Sequence, residues 1–144
     1  MFSTNSEALD FIHDLLDTAK GDLGLASVWY GDENFVAPYP AAVVAPGGLV
    51  RNLYATRTFE IILQVTIFVM HGDLSVSYRT RTRDDIRLAE SVTSLLHTDY
   101  TLGGNVVYGY VVSETPGAIN RPKGTGIVST SIAWNGNSRA QFGG

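Results

Sequence analysis

Residues 59–70 read FEIILQVTIFVM, the longest apolar-rich run in the chain, dominated by β-branched and aromatic side chains. That composition fits a pleated strand packed against a core. Under the two-residue period of a strand, Phe59, Ile61, Leu63, Val65, Ile67 and Val69 share one face, and Glu60, Ile62, Gln64, Thr66, Phe68 and Met70 share the other. The first face is a core face. The second is mixed, which suits a strand whose back is covered by a helix, a neighbouring subunit, or both. At about 3.3 Å per residue the run spans on the order of 35–40 Å, long enough to be the spine of a sheet. It is too short to cross a bilayer as a helix, and it carries Glu60 and Gln64.

Working back from this strand, Ala41 to Ala45 (AAVVA) read as a short buried strand closed by a turn at Pro46, Gly47 and Gly48. Leu49 to Thr58 are either a loop or the first half of a hairpin feeding the long strand. Pro38 and Pro40 stiffen the connection before AAVVA, and Ala26 to Tyr30 form a short strand ended by Gly31, Asp32 and Asn34. At the start of the chain, Thr4 and Glu7 form a capping box for a helix over about residues 5–20. Its inward stripe is Ala8, Phe11, Ile12, Leu15, Leu16 and Ala19, and Gly21 is its stop.

Working forward, His71, Gly72 and Asp73 mark a turn, and residues 74–82 read as a polar edge strand or a loop. A second helix is expected over about residues 83–97, with Asp84 and Asp85 complementing the dipole of its first turn. Ile86, Ala89, Val92, Thr93 and Leu96 form its inward stripe, widened by Leu88 and Leu95. Two strands follow, at about 106–115 and 127–134, separated by a mobile loop at 116–126 and followed by a loose tail at 135–144. The pattern is a single α+β domain over residues 1–144: a mixed or antiparallel sheet around the long central strand, with both helices packed against it.

The chain has 144 residues, enough to bury a core without crosslinks. It has no cysteine, which excludes disulfides, thiolate catalysis and most structural zinc patterns. The net charge of -4 gives no overall attraction to a polyanion. The opening MFSTNSEALDF lacks a basic region followed by an apolar one, so a protein made and used in the cytoplasm is expected.

Chemistry-bearing constellations are sparse. His13, His71 and His97 are far apart, and only His13 and Asp17, one helical turn apart, approach a metal spacing. No serine lies in a GxSxG context, and Pro46, Gly47, Gly48 and Arg51 do not make a phosphate loop. No catalytic, cofactor-binding or metal-ligating residue is expected. Arg79, Arg81 and Arg83 read as a solvated loop leading into a capped helix or, with Arg121 and Lys123 of the 116–126 loop, as a subunit or partner contact.

Several of these segments together resemble the tail terminator proteins of long-tailed bacteriophages. They are the opening helix over residues 7–20, Pro40 with AAVVAPGG, the strand FEIILQVTIFV, the helix RLAESVTSLL with DYTLGGNVV after it, and the closing SIAWNGNSR. The likeness covers most of the chain. It implies a structural protein without catalytic activity or cofactor that caps the tail tube as a homo-oligomeric ring, usually a hexamer. Tail growth ends there and the head docks. The implied partners are other copies of the chain, the tail tube protein and the head–tail connector or neck proteins, with no membrane. The implied location is the head-proximal end of the virion tail, after assembly in the host cytoplasm.

DNA would pass through the lumen of such a ring without specific binding, and each Lys or Arg contact to phosphate would oppose that. Asp14, Asp17, Asp22, Asp32 and Glu33 are therefore expected to include the lumen-facing set, with the 79–83 stretch directed away from the bore. One alternative is a neck or head-completion protein on the portal side. Another, from a different class, is a small-ligand module using Trp29, Tyr30 and Tyr54 as an aromatic pocket.

Overall fold

The structure, a computed structural model, describes residues 1–31, 38–55, 57–72, 77–117 and 127–141. Its elements in order are α1 (Asn5–Leu23), β1 (Ser27–Tyr30), β2 (Ala41–Ala55), β3 (Thr58–His71), α2 (Tyr78–Leu96), β4 (Tyr108–Pro116) and β5 (Val128–Gln141). They form the expected α+β architecture: one five-stranded sheet in the order β1-β2-β3-β5-β4. The β1–β2 pair is parallel and all other pairs are antiparallel.

The long strand is the spine. β3 pairs with β2 along one side and with β5 along the other, from Thr58 opposite Gln141 to His71 opposite Val128. Ile61, Leu63, Val65, Ile67 and Val69 are at most 1% exposed. Both helices cover this face: Ala8, Ile12 and Leu16 of α1 and Leu88, Ala89, Val92 and Leu96 of α2 join the strand in one core. Trp134 of β5 lies opposite Val65 and is fully buried. Its indole occupies the space left by two glycines, since a Cβ on Gly136 or Gly109 would come within 2.2 or 2.4 Å of the ring.

The 49–58 stretch is the hairpin arm. Pro46, Gly47 and Gly48 do not end a strand as expected; they make an irregularity between Pro46 and Leu49, after which β2 continues to Ala55. At Gly47 a Cβ would lie 2.8 Å from the Cβ and carbonyl oxygen of Gln64, so a side chain there would push the strands apart. Asn5 repairs the broken ladder: its Nδ2 donates to the carbonyls of Gly47 (3.1 Å) and Gly48 (3.0 Å), and its Oδ1 accepts from the Gln64 amide at 3.3 Å. One side chain thus ties the start of α1 to the bulge.

Four boundaries are corrected. α1 runs through Gly21 and stops at Gly24, whose φ of 77° supplies the left-handed cap while Leu25 N donates to Lys20 O at 2.8 Å. α2 begins at Tyr78, capped by Ser77, whose Oγ accepts from the Thr80 amide at 3.3 Å. Residues 135–141 are no loose tail; they belong to β5 and pair with Thr58–Gln64 of β3, the strand that the arm leads into. The arm is longer than its apolar pattern indicates, and its backbone donors need a second partner strand. At the 116–126 loop, Pro116 closes β4 and Gly117 follows as a turn; the remainder lies outside the described residues.

Candidate functional site

α1 lies over β1, β2 and β3, and α2 over β5, β3 and β4, so the helices divide one face of the sheet between its two edges. The outward face of α1 is acidic. The helix carries five carboxylates against one lysine, and Asp10, Asp14, Asp17 and Asp22 are exposed. Asp17 pairs with Lys20 at 3.3 Å. At the β1 edge, Tyr30 stacks on His13 with centroids 4.1 Å apart and donates its hydroxyl to Asp10 at 3.3 Å. Partial burial, then the nearby Asp10 charge, raises the Tyr30 pKa above its ordinary value.

The outward face of α2 is basic. Arg79 and Arg83 are exposed, and with Thr82, Ile86, Arg87 and Glu90 they border a shallow groove of about 500 Å³. A helix over 83–97 leaves Arg87 isolated; with α2 beginning at Tyr78, Arg79, Arg83 and Arg87 fall one turn apart on one ridge. Arg81 departs from the expected exposed cluster. It is only 8% exposed, with its guanidinium carbon 5.7 Å from the Tyr78 ring centroid, because the 100° advance of a helix turns it inward between its neighbours. None of the three arginines lies in a loop.

Asp85 is also inward, although the sequence places it in the first turn as a complement to the helix dipole. Its Oδ1 accepts from His71 Nδ1 at 2.7 Å and its Oδ2 from the Thr130 hydroxyl at 2.9 Å. The cluster joins α2 to β3 and β5 beneath the surface. Burial raises the Asp85 pKa above the usual carboxylate value, and the bonds from His71 and Thr130 pull against that rise. The Thr130 proton is directed at Asp85, so this threonine is not an alcohol activated by His71, and the geometry is that of a tether.

On the helix-free face, Tyr108 and Tyr110 stack with centroids 6.4 Å apart and border a groove of about 160 Å³ with Glu60, Ile62, Asn135 and Asn137. The Asn137 amide donates to Glu60. Among the described residues no group of three or more His, Cys, Asp or Glu is placed to hold a metal, and His13 meets Asp14 at 3.3 Å and stacks on Tyr30. Among the described residues no helix is long and apolar enough to cross a membrane.

The structure brings Arg79 and Arg83 together and separates Arg81 from them. It places Asp14, Asp17 and Asp22 on one exposed helix. Asp32, Glu33, Arg121 and Lys123 lie outside the described residues. The aromatic trio does not converge: Trp29 and Tyr30 are successive residues of β1 and point to opposite faces of the sheet, and the Tyr54 side chain is not among those described. No family model matches the chain, and no curated protein matches it.

Proposed function

We propose that this chain is a non-catalytic structural protein that caps the tail tube of a long-tailed bacteriophage as a homo-oligomeric ring, ends tail growth and presents the docking surface for the head. The observation that carries the reading beyond sequence likeness is an asymmetry. One face of the sheet has an acidic helix toward the β1 edge and a basic helix toward the β4 edge. A ring needs two different, complementary surfaces per subunit, joined by a rotation that closes. A subunit with opposite charge at its two ends supplies them and disfavours self-matched contacts between like ends.

In this reading the tail tube protein and the neck proteins meet opposite rims of the ring, and DNA crosses its lumen without specific binding. Asp14, Asp17 and Asp22, exposed on α1, include the lumen-facing carboxylates. Because both helices share a face, their separation from Arg79 and Arg83 is lateral rather than front to back.

Electron microscopy of particles lacking the protein tests the assignment. Tails of uncontrolled length are expected. Normal tails detached from heads would instead assign a neck or head-completion protein. A solution measurement tests the lumen: weak binding of duplex DNA at physiological salt is expected. Micromolar affinity that disappears when Arg79 and Arg83 are replaced would overturn the non-sticking channel.

A further inference from the structure

Among the described residues, two stretches of strand at opposite sides of the sheet have an unpaired outer edge. β4 pairs only with β5, and its outer edge meets no strand among the described residues. On the opposite side, β1 covers β2 only from Ala41 to Val44, so the outer edge of β2 from Leu49 onward is also unpaired among the described residues. Long edges of this kind invite strand addition, and proteins ordinarily blunt them. Each of these two has an irregularity, at Val112 and after Leu53, and a charged residue, Glu114 and Arg51, but both also carry exposed apolar side chains: Leu53 is 68% exposed and Val112 is 46% exposed, beside Val50, Tyr108 and Tyr110.

We propose that the β4 edge pairs with the distal β2 edge of a second copy of this chain, head to tail, with Glu114 opposite Arg51 and Ser113 opposite Asn52. This deepens the ring reading by naming the subunit contact, and it rests on that reading.

Strand direction permits the pairing. β2 and β5 run one way and β3 and β4 the other, so β4 set beside β2 of the next copy continues the antiparallel alternation. Face parity permits it too. Arg51 lies opposite Ile61 and Glu114 opposite Ile132, which puts both on the helix-bearing face; Val50 and Thr115 fall together on the other face. One register therefore sets a cation against a carboxylate, with Asn52 facing Ser113; beyond Ser113 the bulge at Val112 ends the regular pairing. Arg51 forms no salt bridge among the described residues, and Glu114 accepts a hydrogen bond from the Thr93 hydroxyl at the side of α2.

The helices meet the same register. Lower residue numbers on α2 go with higher numbers on β4, because Thr93 reaches Glu114 while His97 Nε2 accepts from the Val111 amide at 2.9 Å. Arg83 and Arg79 lie 10 and 14 residues before Thr93, about 15–21 Å back along the helix. On β2 of the neighbour that distance is roughly four to six residues back from Arg51, level with Ala45 to Gly47. Tyr30, which pairs with Val44 and holds Asp10, is at that level. The basic end of α2 in one copy thereby comes alongside the acidic edge of α1 in the next.

Because the chain has no cysteine, disulfide trapping is unambiguous. The double variant Arg51→Cys/Glu114→Cys, purified as the full chain and oxidised, is expected to give covalent oligomers larger than a dimer on non-reducing gels. Each single variant alone is expected to stay uncrosslinked, and a mixture of the two singles to stop at the dimer. Native mass spectrometry of the parent chain runs beside it. A ring by mass with no crosslink in the double variant overturns this contact and leaves the ring standing. A monomer by mass with no crosslink overturns both. Crosslinking of Glu114→Cys alone overturns the head-to-tail contact in favour of a β4–β4 dimer. Charge reversal gives a second readout: Arg51→Glu or Glu114→Arg lowers the assembled fraction severalfold, and the two together restore it.

Discussion

The two faces of β3 are built from alternate residues of one strand, yet they do different jobs. On the helix-covered face Ile61, Leu63, Val65, Ile67 and Val69 meet α1 and α2 and exclude water completely. On the other face Glu60, Ile62, Gln64, Thr66 and Phe68 remain partly exposed, beside Asn135, Asn137 and the stacked Tyr108 and Tyr110. The covered face holds the fold together by removing apolar area from water. The other carries polar groups that stay wet at no cost in core packing, so it tolerates change that the first does not.

The largest expected effect is on the covered face. Val65→Asp, and equally Leu63→Asp, buries an unpaired carboxylate where no solvent reaches, at several kcal/mol, against a total stability of about 5–15 kcal/mol for a domain. No soluble, cooperatively melting protein is expected. A soluble variant melting within a few degrees of the parent would break the comparison.

A smaller loss is expected where α1 meets the arm. Asn5→Ala leaves the Gly47 and Gly48 carbonyls and the Gln64 amide without their side-chain partner, at about 1–3 kcal/mol. Urea unfolding should show a lower midpoint with an unchanged slope.

The buried tether gives a pH-dependent effect. Burial raises the Asp85 pKa, so the folded state holds that proton more tightly than the unfolded chain, and the group costs stability as pH climbs from its ordinary value of 3.8. The groups facing it are His71 from β3 and Thr130 from β5; Arg81, one turn earlier on α2, is also buried. In Asp85→Asn that titration is gone while a side chain of the same shape can still accept from His71. The stability of the variant relative to the parent should therefore rise as the pH climbs above the ordinary value of 3.8. A difference that stays constant over that climb would refute it.

The smallest effect belongs to the open face. Thr66→Asp, the next residue after Val65 and between Ala45 and Ala133 in the sheet, is expected to change stability by less than about 1 kcal/mol. The contrast between Val65→Asp and Thr66→Asp in the same assay measures the difference between the faces directly.

Much of this was legible in the residues. The period of two in 59–70 specified β3 and its core face, Thr4 with Glu7 located the start of α1, and spacing recovered most of the inward residues of α2. These signals are local, because a side chain's direction follows from backbone geometry a few residues long. The same local reading went wrong at Gly21, at Pro46 to Gly48 and at residues 135–141, where turn-forming or polar composition suggested an ending. There the partner decides: Gly24 provides the better cap, Asn5 satisfies the bulge, and β3 pairs with the final strand. The polar cluster followed the same rule. Asp85 reads as a surface acid until α2 starts at Tyr78, and its partners His71 and Thr130 lie 14 and 45 residues away in the chain. Local patterns set which face of an element is apolar. Long-range pairing decided where strands end and which charges are buried, because a backbone donor or a buried carboxylate takes whatever partner the folded chain brings to it.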